Sequence, residues 1–494
     1  MSCMMTLEQA HEWIPGSIVF GDGLTKVARV HTDTRTIELG DLFVALTGDR
    51  YDASEFLVQA KDKGAVAVIC QSQQRLEHSG LPGLVVQDAR VALGALASGW
   101  RAQFNLPLIA VTGSNGKTTV TQMIASVLRA YRPQAMLATE GNFNNDIGVP
   151  LTLLRLNASH QIAVVEMGMN HPGEIARLAA MTQPTVALVN NAQREHMEFM
   201  ATVEAVAREN GSVVASLVSN GVAVYPHADE FSRLWREIAD RRPQMTFEIS
   251  ARIAAIAKRE SHPEADVSCP LPQWVAGAWH VCASTPAGPL DFALHVAGLH
   301  NVKNSLAAVA CSLAAGVPLS EIAQGLTNFE PVKGRSRALS GVFDGFEFDL
   351  VDDTYNANPD SVQAAIEFLA GMPGPRLLVL GDMGEVGLRG PQYHAQAGTF
   401  AKDVGIDALF TLGELAEFAS RQFGDGVHHR DIEVLKTAVL RVLPKYRSVL
   451  VKGSRFMKME RVIEAVMGAS QTAMANEKDS DRHNGRVSVE AQCS

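Results

Sequence analysis

The chain is poor in cysteine and has no basic block or long apolar run. Its six cysteines (Cys3, Cys70, Cys269, Cys282, Cys311, Cys493) are scattered over 494 residues, with no C-x-x-C spacing. That excludes a zinc ribbon or a disulfide framework and fits a reducing compartment. Acidic residues outnumber basic ones, 53 to 43, for a formal charge of −10, which argues against a nucleic-acid surface. No uninterrupted apolar stretch approaches the ~20 residues of a membrane helix, so no membrane insertion is expected. The opening MSCMMTLEQAHEW lacks a basic start followed by an apolar run, so no secretory signal is expected. These absences point to a soluble, cytoplasmic protein. What remains is an ordinary globular balance, 47% apolar and 19% charged, over a length suited to about three domains.

The chain is organised around LPLIAVTGSNGKTTVTQMIASVLRA, residues 106–130. Leu108-Ile109-Ala110-Val111 reads as a buried strand. Thr112-Gly113-Ser114-Asn115-Gly116 breaks it, and Lys117-Thr118-Thr119 opens a segment with Met123, Ile124, Val127 and Leu128 at helical spacing. A strand, a Gly-containing loop and a helix start make a phosphate cradle, because unpaired N–H groups and the helix dipole point at one spot. Lys117 adds a charge there, and the Thr118 hydroxyl can ligate magnesium. The generic G-x-x-x-x-G-K-[ST] pattern is met incompletely: Val111 stands at its first position, and the glycine comes two residues later. The pattern points to a nucleotide triphosphate without saying what it is used for.

Short strands and helices alternate on both sides, an α/β pattern of mainly parallel sheets. Strands are expected at 41–46, 65–69, 84–86, 161–165, 185–189, 222–225, 346–351, 376–380, 408–410 and 448–451. Helices are expected at 56–63, 91–100, 202–218 and 305–315, with antiparallel strands between 251 and 294. Asn358 is an expected N-cap with Pro359 at the first helical position. Thr32–Arg35 and Gly48–Asp52 are polar turns, either solvated loops or holders of a polar ligand. The same alternatives stand for the asparagine-rich stretch from Thr139 to Pro150. Glu166 ends a strand where ligands sit in parallel sheets, so it reads as a metal residue or a structural one. His196 follows another such strand, either a satisfied polar side chain or a ligand. The asparagines opening the helix near 301 can cap it or offer amides to a base.

TGSNGKTT, TEGNFNNDIGVPLTLL, DDTYNANPDSVQAAI, LGDMGEVG and VKGSR, in this order, resemble the Mur ligase family of peptidoglycan synthesis. The resemblance runs from Thr32 to about Val466. It implies a substrate domain at 1–103, a central P-loop ATPase at 104–329 and a Rossmann-like C-terminal domain at 330–468. A disordered tail is expected over 469–494. The last four motifs look like the member that joins D-Ala-D-Ala to a UDP-N-acetylmuramoyl-tripeptide, using ATP and Mg2+, and a monomer is expected.

Carried over onto this chain, the resemblance gives Gly113, Ser114, Asn115, Gly116, Lys117, Thr118 and Thr119 to the phosphates. Thr118, Glu166 and His196 would serve magnesium, and Lys117, Glu166 and His196 form the catalytic set. Asn301 and Asn304 would meet adenine; Arg335 and Asp353 would close over ribose and phosphates. Thr34 and Arg35 resemble uridine-side contacts, and Asn142, Asn145 and Asp146 lie along the peptide path. Tyr355, Asn356, Lys452 and Ser454 would line the dipeptide pocket. One position departs from the family: a lysine carbamylated in many members is replaced by Asn210 within Val206-Ala207-Arg208-Glu209-Asn210-Gly211. Either Asn210 or Glu209 substitutes, or His196, phosphate and water hold the second metal.

Competing readings are another Mur-type ligase adding the third residue, a folylpolyglutamate-type ligase, a phosphotransferase, and a nucleotide switch. The switch class commonly carries an N-K-x-D segment, which is absent. A third-residue ligase is expected to show D-Y-A-H-x-P-D where this chain has Asp353-Thr354-Tyr355-Asn356-Ala357-Asn358-Pro359.

Overall fold

The computed structural model describes residues 3–48, 52–194, 200, 202–250, 265–275 and 277–470. The chain builds three mixed or parallel sheets in succession, each flanked by helices.

The first sheet has strands β1 (Ile18–Phe20), β2 (Arg29–His31), β3 (Asp41–Val44), β4 (Ala67–Cys70) and β5 (Gly83–Val85), in the order β1-β5-β4-β3-β2. Only β1 runs antiparallel to its neighbour. Helix α1 (Ala89–Arg101) follows, capped by Asp88, whose carboxylate accepts the N–H groups of Arg90 and Val91.

Ten strands form the second sheet: β6 (Leu108–Thr112), β7 (Met136–Ala138), β8 (Ile162–Glu166), β9 (Val186–Val189), β10 (Val222–Pro226), β11 (Gln244–Ser250), β12 (Val267–Pro270), β13 (Gln273–Val275), β14 (Ala278–Thr285) and β15 (Gly288–Leu294). The order is β13-β14-β12-β11-β10-β9-β6-β8-β7, with β15 on β14. The strands from β7 through β12 pair in parallel, and β13 to β15 are antiparallel. The expected antiparallel run thus begins after β12; residues 251–264 lie outside the described ones.

β6 is buried at every position, as its unbroken apolar run requires for a central parallel strand. One face of the sheet is covered by α2 (Lys117–Tyr131), α6 (Leu299–Ala314) and α7 (Leu319–Thr327); Met123, Val127, Leu306 and Leu326 share a core with Ile109. A side chain on Gly325 would bring its Cβ to 2.4 Å from the Val127 Cα, so α7 lies directly on the α2 backbone. The other face carries α3 (Gly148–Leu153), α4 (Glu174–Thr182) and α5 (Val203–Ala215). Here the core is continuous with the first sheet's: Leu42, Leu93 and Leu96 join Leu153, Leu178 and Val214. Buried Arg101 ties the two units, donating to the carbonyls of Thr182 (3.0 Å), Gln183 (3.2 Å) and Phe104 (2.6 Å).

The third sheet runs β16-β17-β21-β18-β19-β20, with β16 (Arg337–Phe343), β17 (Phe346–Asp353), β18 (Arg376–Gly381), β19 (Ala408–Leu412), β20 (Val427–His429) and β21 (Ser448–Lys452). All neighbours are parallel except the β16–β17 hairpin. Helices α8 (Pro359–Ala370), α9 (Gly390–Asp403) and α10 (Ala416–Phe423) pack on this sheet; α8 opens with Asn358 capping Ser361 N–H and Pro359 in its first turn. Ser470, expected in the tail, is buried and accepts the Val342 N–H at 3.0 Å.

The helix expected at Ser305 starts six residues earlier, at Leu299. Asn301 and Asn304 therefore sit inside its first turns rather than capping it, and no side chain caps its start.

Candidate functional site

The C-terminal ends of β6, β8 and β9 meet the linker before β16 and the start of α8 around a cavity of about 1270 Å³. Gly113 (φ +136°) and Gly116 (φ +80°) turn the β6–α2 loop through conformations other residues rarely adopt. A Cβ on Gly116 would stand 2.6 Å from the Asn304 Oδ1, so the loop is also pressed against α6. Lys117 folds back over the loop, its Nζ donating to the carbonyls of Gly113 (2.6 Å) and Ser114 (3.0 Å).

The segment after β9 braces the loop, a role the sequence reading did not assign. Asn191 Oδ1 accepts the Asn115 N–H (2.8 Å), and Gln193 Oε1 accepts from the Asn115 amide (2.6 Å). Gln193 N–H donates to Ser114 Oγ at 2.9 Å. Asn190 donates to the Asn115 carbonyl (2.8 Å) and to Asn304 Oδ1 (2.9 Å), and Asn304 passes the chain on to Asn301 (2.9 Å). Asn301 ends it on the Ala297 carbonyl at 2.7 Å. The position of Asn190-Asn191 at the carboxyl end of a parallel strand is the signal that singled out Glu166, and it applies here equally.

Glu166 is buried at 1% exposure. Its Oε1 accepts from Thr118 Oγ1 (3.0 Å) and from Asn144 Nδ2 (2.7 Å), the latter also missed from sequence. Among the described residues its Oε2 meets no hydrogen-bond partner. A buried carboxylate oxygen left unmet costs free energy unless a cation or donor arrives. Hydroxyl and carboxylate oxygens side by side are the donor set of a hard divalent ion, so these residues fit magnesium. His196 lies outside the described residues. Among the described residues no cluster of three His, Cys, Asp or Glu side chains suits a metal.

Arg335 reaches the cradle from the third unit, donating from Nη2 to Thr118 Oγ1 at 2.9 Å while its guanidinium lies 4.0 Å over the Tyr355 ring. Lys452 is buried and donates to Asp353 Oδ2 (2.6 Å) and the Asn356 carbonyl (2.9 Å). Burial alone would push the Asp353 carboxyl up. The bonded Lys452 ammonium, His300 and the Ser336 N–H outweigh it and hold the group below the usual carboxylate range.

The cavity also takes in Asn142, Asn145 and Asp146, the last paired with Arg90 of α1 at 3.1 Å. Of the described residues expected at the site, Gly113, Thr34, Arg35 and Ser454 are not in its lining. Thr34 and Arg35 form a 3₁₀ turn far out on the first unit, with Arg35 exposed and paired to Asp33. Ser454 is buried, its N–H on the Asp382 carbonyl. Of the Gly48–Asp52 loop, residues 49–51 lie outside the described ones; Asp52 pairs with Arg75.

Neither candidate substitute for a carbamylated lysine offers an oxygen to the cleft. Asn210 is buried, its Oδ1 accepting from Thr112 Oγ1 at 2.6 Å. Glu209 spends both oxygens on the N–H groups of Gly173 (2.8 Å) and Ile175 (2.9 Å), at the start of α4.

Three family profiles match in chain order. They are the Mur ligase family catalytic domain over residues 26–101, the Mur ligase middle domain over 111–312, and the Mur ligase glutamate ligase domain over 334–455. The UDP-N-acetylmuramoyl-tripeptide–D-alanyl-D-alanine ligase of Escherichia coli K12 is 37% identical over 465 residues, which are 94% of this chain and 98% of that protein. A crystal structure of MurF from Acinetobacter baumannii superposes with a TM-score of 0.84 at 33% identity, covering 94% of this chain and 98% of that one. The fold is shared too with the Thermotoga maritima MurF ligase in complex with ADP, TM-score 0.76 at 24% identity over 90% of this chain and 99% of the other. By sequence along nearly its whole length, and by a fold of three sheet-bearing units around one cleft, this chain belongs to the Mur ligase family.

Proposed function

We propose that the protein is an ATP-dependent ligase forming an amide between the terminal carboxylate of a UDP-N-acetylmuramoyl-tripeptide and the amine of D-Ala-D-Ala, in cytoplasmic peptidoglycan precursor synthesis. The observation that carries this reading is the buried, unmet oxygen of Glu166 beside Thr118, at the mouth of a helix-start phosphate cradle and inside a cleft walled by all three units. The Escherichia coli relative, 37% identical over 94% of this chain, bears that activity in its name.

The cradle N–H groups and Lys117 hold the β- and γ-phosphates. Thr118 and Glu166 would hold magnesium, which when bound supplies positive charge against the phosphate oxygens. The acceptor carboxylate oxygen attacks the γ-phosphorus and ADP leaves, giving an acyl phosphate. Two anions meet in this step, and Lys117 and Arg335 screen their repulsion. The dipeptide amine then attacks the acyl carbon, loses a proton, and phosphate departs. Asn142, Asn145 and Asp146, with Arg90, flank the path of the muramoyl peptide. Tyr355 and Asn356 flank the dipeptide. Arg335 and Tyr355, brought over the cradle by the third unit, exclude the water that would hydrolyse the acyl phosphate. Asn301 and Asn304 border the base side. In this reading the enzyme works as a monomer.

The test is phosphate release from ATP and magnesium with the UDP-tripeptide, with and without D-Ala-D-Ala. Release that needs both, with a UDP-pentapeptide by mass, supports the reading. Replacement of the dipeptide by a single amino acid moves the protein to another step of the family, and no turnover on the sugar nucleotide removes the reading.

A further inference from the structure

The β6–α2 loop fixes the phosphate end of a nucleotide, and Glu166 at the end of β8 marks one side of it. The sheet order β11-β10-β9-β6-β8 leaves the opposite side for the base. Two strands over from β6, about 10 Å away at the usual strand spacing, β10 ends and runs on to Asp229. Helix α6 packs on this part of the sheet, its Val302 and Leu306 in one core with Val224 of β10 and Phe247 of β11. From that helix Lys303 joins Asp229 in lining the cavity.

The asparagines of α6 are already committed. Asn301 donates to the Ala297 carbonyl and accepts from Asn304, which in turn accepts from Asn190. Every side-chain nitrogen and oxygen of the two is engaged within the protein. Lys303 differs. It is half-buried, and among the described residues its Nζ meets neither a hydrogen-bond acceptor nor a carboxylate at ion-pair distance. Burial pushes its ammonium below the ordinary lysine range, and the more distant carboxylates of Asp229 and Glu248 offset this only in part. A shielded cation without a contact partner costs free energy, and an acceptor on a ligand would relieve that cost. Asp229 is the matching acceptor. One oxygen takes the Phe231 N–H at 3.0 Å, and the other has no hydrogen bond among the described residues.

We propose that Lys303 and Asp229 read the base of the nucleotide and set a preference for adenine. Lys303 donates to a ring nitrogen, and Asp229 accepts from the exocyclic 6-amino group. Adenine presents an acceptor nitrogen beside that amine, whereas guanine and hypoxanthine carry an oxygen at position 6. In the same pose the oxygen would face the Asp229 carboxylate, acceptor against acceptor, and both groups would lose water without gaining a bond. The inference rests on the nucleotide part of the proposed function and is independent of the peptide substrates.

The test is calorimetric binding of ADP and IDP, with magnesium, to the full chain, beside kcat and KM for ATP and ITP. Wild type should bind ADP at least about 50-fold more tightly than IDP. Asp229→Asn keeps the oxygen that caps the Phe231 N–H and can turn its NH2 toward a 6-oxo group, so the preference should fall below about fivefold. Lys303→Met keeps the apolar stem and removes the charge. Its ADP affinity should fall about tenfold and its KM for ATP rise by a similar factor, with kcat within about twofold. Its melting temperature should be unchanged or higher, which separates lost recognition from lost folding. Equal binding of ADP and IDP by wild type overturns the proposal. So does an unchanged preference in Asp229→Asn, or a defect in Lys303→Met confined to kcat. The binding arm needs neither the sugar nucleotide nor the dipeptide, so its outcome stays readable if the ligase reading fails.

Discussion

Glu166 engages one carboxylate oxygen and leaves the other buried and unmet, an arrangement that stability alone does not favour. Glu166→Gln should therefore keep or raise the melting temperature while kcat/KM falls about 10²- to 10³-fold and the magnesium requirement rises. A variant that melts lower with near-normal magnesium response would make Glu166 a structural residue. Asn210 allows a second test. Its amide oxygen is taken by Thr112 and an amide cannot form a carbamate, and Glu209 is committed to the start of α4. Activity in carbon-dioxide-free buffer should equal that with added bicarbonate; activation by bicarbonate would contradict this. Single residues were legible in sequence where chemistry and strand position coincide, as at Lys117, Thr118 and Glu166. Lys452 and Asp353 were named, but as separate ligand contacts. Their burial as a bonded pair depends on β17 and β21 lying side by side, which no local pattern announces.

At the scale of elements, the long apolar strands and the Asn358-Pro359 helix start were readable because each is set by local rules. The start of α6 was not: its asparagines look like caps, and only packing against the phosphate loop draws them into the helix. The small strands before β3 were missed as well, being two or three residues long and lacking a distinct period. The loop after β18 carries a pH dependence of its own. Buried His394 on α9 accepts the Met383 N–H at Nε2 (2.9 Å) and faces the Gly390 carbonyl with Nδ1 (2.7 Å), so only one nitrogen carries a proton. Burial pushes this imidazole down from 6.5. The unfolded chain then takes up a proton that the folded one refuses, so stability is full above pH 6.5 and falls as pH drops below it. The loss is at most about 1.4 kcal/mol per pH unit for one group. Melting curves from pH 7 to 5 should fall more steeply for wild type than for His394→Gln; parallel curves would remove His394 from the account.

For the whole molecule, the cores predict how it comes apart. The first unit shares one continuous core with a face of the second sheet, and Arg101 is buried across the join. The third sheet is packed by cores largely of its own. Calorimetry of the ligand-free protein should therefore show two transitions, one for the first two units together and one for the third. A single sharp transition would mean that the contacts between the second and third units couple them as strongly as a shared core. The three-part α/β plan was legible from strand–helix alternation; the fusion of two parts on one core was not, because it depends on which helix faces meet.

That fusion divides the prospects for inhibitors. A compound occupying the groove between α1 and α4 meets two walls built on one continuous core. Its affinity should follow shape alone and hold from dilute to concentrated salt. A compound bridging the phosphate loop and α8 spans two units that meet through polar contacts such as Arg194 on Asp360, so its affinity should change with salt. Potency ranked in a low-salt assay would flatter the second class, and the order of a mixed series would change with the buffer.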